Sequence, residues 1–79
     1  MDKSGQLHAV LTICRNLGAE VDYRRGRSYF TAMVREDERL SADTSRARLI
    51  QKQIQRETAQ YPELVCYCFD PFSTLVYTI

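Results

Sequence analysis

Leu7, Val10, Leu11, Cys14 and Leu17 recur at intervals of three and four residues, which places them on one stripe of a helix. Asp2 or Ser4 offers a side-chain oxygen for the first turn, and Gly18 stands where helices commonly stop in a left-handed residue. The spacing predicts a first helix over residues 4–17. The period then shortens to two. Val21 and Tyr23 alternate with Glu20, Asp22 and Arg24, and Phe30, Ala32 and Val34 alternate with Tyr29, Thr31 and Met33. With Arg25-Gly26-Arg27 as a short turn, residues 20–35 read as a β-hairpin.

The run Arg35-Glu36-Asp37-Glu38-Arg39 is expected to be a solvated connection. Ser41 or Asp43 is placed to cap a second helix with Ala47, Ile50, Ile54, Thr58 and Tyr61 as its inner stripe, and Pro62 ends it. Residues 63–69 and 74–79 are apolar and β-prone, joined by the turn-forming Asp70-Pro71-Phe72-Ser73. They predict a second hairpin.

The order α-β-β-α-β-β predicts an α+β fold over residues 1–79, a two-layer sandwich with a four-stranded antiparallel sheet and both helices on one face. Moving the last strand to the front gives β-α-β-β-α-β, the split βαβ order. A circularly permuted ferredoxin-like arrangement is therefore a candidate architecture.

Length limits what such a chain can do. Its 79 residues make one domain, and a chain of this size buries only about 60% of its unfolded surface. A core fits, whereas a deep substrate cavity is hard to enclose as well. Charge is balanced: residues 1–40 carry seven Lys/Arg and six Asp/Glu, and residues 41–79 carry four of each. Electrostatic recognition must then come from local patterning. Three cysteines, an odd number, with no apolar leader ahead of the first charges, point to free thiols in a reducing compartment and a cytoplasmic location. No apolar run approaches the roughly 20 residues that span a bilayer.

The catalytic reading is weak. His8 is the only histidine, and it shares a helix face with Thr12 and Arg15, away from the apolar stripe. General-base work needs an acid or nucleophile beside the imidazole, and no such constellation stands in the sequence. With three glycines there is no phosphate-cradling loop and no cofactor motif. An enzyme assembled only in a homo-oligomer is the residual catalytic alternative. Cys66 and Cys68 share a strand face, but a single C-x-C with Cys14 lacks the spacing of a zinc site. The three read as small buried hydrophobes, so neither cofactor nor metal is expected.

Two basic groups and one aromatic face remain. Arg48, Lys52 and Arg56 fall at i, i+4 and i+8 on the second helix, with the amides of Gln51 and Gln55 beside them. Like charges at that spacing repel unless something offsets them. Arg24, Arg25 and Arg27 crowd the first turn next to Tyr23 and Tyr29, where guanidinium forks suit phosphate and rings can stack on bases. On the third strand both alternating sets are apolar. If Leu64, Cys66 and Cys68 face the helices, Val65, Tyr67 and Phe69 face away. On the fourth strand, if Leu75, Tyr77 and Ile79 face in, Thr74, Val76 and Thr78 face out, and one register or the other leaves aromatics uncovered. Tyr29 and Met33 then join the outer face, which a two-layer domain does not cover. Alternatively the third strand is central and shielded by Phe72.

Uncovered aromatics usually mean a partner. The expected function is that of a small non-enzymatic binding protein docking on a protein or multi-subunit complex. Its size class suits a phage- or mobile-element-type inhibitor or adaptor of host machinery. A homodimer through the same face is the self-paired version. The alternative is a nucleic-acid regulator using Arg24, Arg25, Arg27, Arg48, Lys52 and Arg56 on phosphates and Tyr23, Tyr29 or Tyr67 on bases. The contact residues expected for a partner are Arg24, Arg25, Arg27, Tyr29, Arg48, Lys52, Arg56, Tyr67 and Phe69.

Overall fold

The first helix, α1 (Lys3–Asn16), starts and stops where its sequence dictates. In this computed structural model, which describes residues 1–40 and 43–79 apart from the Glu38 side chain, the Asp2 carboxylate accepts from Gly5 N at 2.7 Å as the N-cap. At the other end Gly18 takes φ +90°. Gly18 N donates to Arg15 O at 3.0 Å and Ala19 N to Cys14 O at 3.1 Å, the paired bonds of a Schellman cap. A Cβ on Gly18 would meet nothing closer than 3.9 Å, so only the backbone conformation resists a side chain. Gly18→Ala should therefore cost about 1–2 kcal/mol, read as a lower urea midpoint. An unchanged midpoint would show that the cap does not hold.

The remaining elements are β1 (Glu20–Asp22), β2 (Tyr29–Met33), α2 (Glu36–Arg39), α3 (Ser45–Ala59), β3 (Leu64–Asp70) and β4 (Ser73–Thr78). Three local expectations need correction. The first hairpin is looser than the alternation implies, because β1 stops at Asp22 and residues 23–28 connect it to β2. Gly26 at φ +90° and an Arg27 N to Arg24 O bond of 3.1 Å shape this connection. The charged run after β2 is a single helical turn, closed by Arg39 N donating to Arg35 O and Leu40 N to Glu36 O. The long helix begins later, with Thr44 at its N-cap. Asp43 lies just outside and accepts from Ser45 N at 2.9 Å, which holds its carboxyl below the usual range. Ser41, the other capping candidate, is outside the described residues.

The sheet runs β1-β2-β4-β3, with every neighbouring pair antiparallel. β2 and β4 are central. β3 is an edge strand, so the alternative that it is central and shielded by Phe72 does not hold. With β4 taken first, α1 links β4 to β1 around β2, and α3 links β2 to β3 around β4. Both crossings are split, which is compatible with the permuted ferredoxin-like arrangement. Leu7, Val10, Leu11 and Cys14 from α1 and Ile50 and Ile54 from α3 form one cluster with Phe30, Ala32, Leu64 and Val76 from the sheet. Both helices therefore cover the same sheet face, in an α+β two-layer fold.

Of the two registers open to β4, the structure takes the one with Thr74 and Val76 inside. Thr74 and Val76 are buried, whereas Leu75 is half-buried and Tyr77 exposed. The reason is pairing: Val76 stands opposite both Phe30 and Cys66, and paired residues point to one face. Gln51 secures the choice by donating to Asp70 O and Thr74 Oγ1 (3.3 Å) from α3. Its amide is thus spent on the β3–β4 turn. The Gln55 amide donates one of its two N–H groups to Cys68 Sγ at 3.3 Å, so Gln51 is not a spare donor beside the basic row and Gln55 is partly engaged.

The three cysteines are free and sit on the helix side of the sheet. Burial pushes the Cys14 thiol up to about 12, with neighbouring Cys66 adding to it. Burial and then Cys68 push Cys66 up to about 11, partly opposed by the Thr58 hydroxyl. Both thiols stay protonated in the fold after the unfolded chain ionises near 9.0. Their contribution is therefore complete below about pH 9 and lost as pH rises toward the folded values, most of it from Cys14. Half-buried Cys66 adds less. Melting temperature should fall across this window, and Cys14→Ala should flatten the fall. A level profile would refute the thiol account.

Candidate functional site

The strand pattern and the two-layer packing create an uncovered sheet face. Across it, Tyr29 pairs with Tyr77 and Tyr77 with Val65, while Thr31 pairs with Leu75 and Leu75 with Tyr67. Met33 lies one step along β2 beside Ser73. Tyr67 and Phe69 are each 57% exposed although their rings meet edge to face at 5.2 Å and 72°. Mutual packing thus fixes the pair without removing it from water. Tyr29, Met33 and Tyr77 are also exposed. At the margin the Arg27 guanidinium lies 5.3 Å from the Tyr29 ring centre, a cation–π contact that continues the surface. A bulge between Cys68 and Asp70 shifts the register before the last pair, Asp70 with Ser73, and Asp70 closes the turn by accepting from Phe72 N at 2.7 Å.

Of the residues expected to contact a partner, Tyr29, Tyr67 and Phe69 share this face, with Arg27 at its edge. Arg48, Lys52 and Arg56 are exposed on α3, in the other layer. None of the ion pairs among the described residues involves these three. Lys52 and Arg56 rim a cavity of about 430 Å³ between α3 and the C-terminal half of α1, with Ile13, Leu17, Leu49 and Ile50 as apolar walls. Leu49, 67% exposed, belongs to this groove. Sequence reasoning passed over it because it is off the inner stripe, and an exposed leucine within a charged helix is its one available signal.

Arg24, Arg25 and Arg27 remain in the β1–β2 connection. Arg25 and Arg27 line a second cavity of about 530 Å³ with Lys3, His8 and Tyr23. His8 is exposed, as expected, but its ring meets Tyr23 edge to face at 5.0 Å and 78°. The two basic groups therefore line different cavities, at opposite ends of about 20 Å of helix. Among the described residues no three His, Cys, Asp or Glu side chains converge as metal ligands, and no helix is long and apolar enough to cross a membrane.

No protein-family model matches this chain, and no curated protein or solved structure matches it at a significant level.

Proposed function

We infer that this chain works by docking its outer sheet face onto a protein partner, as a small binding protein that contributes no chemistry of its own. The observation that carries this reading is the uncovered set Tyr29, Met33, Tyr67, Phe69 and Tyr77, on a rigid antiparallel platform. Aromatic residues and methionine are enriched at protein interfaces, and rigid aromatic pairs anchor them. β3 extends the same surface. It is a seven-residue edge strand with no lysine or proline within it, open to strand addition by a partner segment. A domain of this size with one sticky face fits an inhibitor or an adaptor.

The test is capture of a tagged copy from lysate, with and without nuclease, beside the double variant Tyr67→Asp/Phe69→Asp. The reading expects a stoichiometric protein that survives nuclease and is absent from the variant's eluate. Proteins lost on digestion, or retained by the variant, would sink it. Sedimentation of the free protein is the companion measurement. A dimer that the same substitutions dissociate would place a second copy on this face instead.

A further inference from the structure

We propose that the cavity between the start of α1 and the β1–β2 connection binds the phosphate of a nucleotide, free or within a single strand. This site adjoins the aromatic face at Arg27 but does not rest on the docking reading. Its walls carry three formal cations, Lys3, Arg25 and Arg27, together with the His8 imidazole, and no carboxylate is among the lining residues. Lys3 is partly engaged, donating to Ile79 O at 2.6 Å with Glu63 3.9 Å away. Arg25 takes part in none of the ion pairs among the described residues, and Arg27 meets only the Tyr29 ring. Two arginines that line one cavity without a protein anion suit an external one, since a guanidinium fork matches phosphate oxygens.

Size and wall chemistry narrow the ligand further. About 530 Å³ falls in the range of small-molecule sites and exceeds what one phosphate ion fills. The rest of the wall includes Tyr23, held edge-on by His8, and the Ser28 hydroxyl. A half-buried ring with polar neighbours accepts a planar base by stacking, without reading its identity. A phosphate ester of a nucleoside meets both halves of the cavity, whereas inorganic phosphate meets one. Sequence alone hid this site because Lys3 and His8 lie some twenty residues from Arg25 and Arg27.

The experiment titrates the full chain, at low salt, with inorganic phosphate, adenosine monophosphate and a short oligothymidylate, following backbone amide resonances. Adenosine monophosphate should bind at least about fivefold more tightly than phosphate, one stacked base being worth that much. Its shifts should centre on Lys3, His8, Tyr23 and residues 25–28. Arg25→Ala/Arg27→Ala should weaken binding at least about tenfold, with an unchanged circular dichroism spectrum. A strand-borne source predicts that the oligonucleotide binds more tightly than the monophosphate and loses affinity steeply with salt; a free nucleotide predicts no such gain. Shifts mapping to Lys52 and Arg56, equal binding of phosphate and monophosphate, or an arginine pair without effect would each overturn the assignment.

Discussion

Phe30→Ala is expected to be the most destabilising single truncation in the core, costing about 3–5 kcal/mol. Phe30 is fully buried on central strand β2, opposite Val76, and it belongs to the cluster joining both helices to the sheet. Truncating a buried phenylalanine costs about 3–5 kcal/mol, the lost transfer energy plus the cavity left behind. A chain of this length has about 4–12 kcal/mol in total, at 0.05–0.15 kcal/mol per residue. Between about a quarter and all of the margin would go, lowering the melting temperature by tens of degrees at about 4–8 °C per kcal/mol. Phe30→Leu keeps part of the volume and should lose distinctly less. Urea unfolding monitored by circular dichroism measures both. A loss under about 1 kcal/mol in the alanine variant would show that the two layers do not close over this ring.

The second large effect is the converse. Tyr67→Asp/Phe69→Asp should cost only about 0.5–1.5 kcal/mol of stability while partner binding falls by at least about a thousandfold. Both rings are more than half exposed on an edge strand, so removing them opens no cavity beneath the helices. What is lost is their mutual contact, worth about 0.5–1.5 kcal/mol. At an interface, by contrast, truncating an aromatic anchor costs about 2 kcal/mol or more, and a desolvated carboxylate adds its own penalty. Two such sites exceed 4 kcal/mol, and each 1.4 kcal/mol is a factor of ten. The paired readout is the melting temperature of the variant and its affinity for the captured protein. A variant that unfolds would assign the rings to the fold, and a stable variant with full affinity would move the contact surface elsewhere.

These opposite expectations depend on knowing which side of the sheet each residue faces, and the amino-acid pattern determined that unevenly. The two long helices were legible because their stripes have a single apolar side. Ala47, Ile50, Ile54 and Thr58 are buried as their spacing requires, and Gly18 ends α1 as only a left-handed residue does readily. Strand β2 was equally legible, since Phe30, Ala32 and Val34 alternate with residues that are less buried. Strand β4 was not. Its period of two defined the sets Thr74, Val76, Thr78 and Leu75, Tyr77, Ile79, yet both contain apolar members, and a one-residue slip exchanges them.

The tertiary structure made that choice through β4's position between β2 and β3, where Val76 must share a side with Phe30 and Cys66. Two threonines and a valine then lie under the helices, and the larger Leu75 and Tyr77 pass to the outer face. The same kind of decision assembled the cationic cavity. Local sequence put Arg25 and Arg27 in one turn, but only α1 packing beside β1 brought Lys3 and His8 to them. Spacing along the chain reports which residues share a face of one element. Which faces meet depends on contacts between residues distant in sequence, and those are set by the packing of the whole chain.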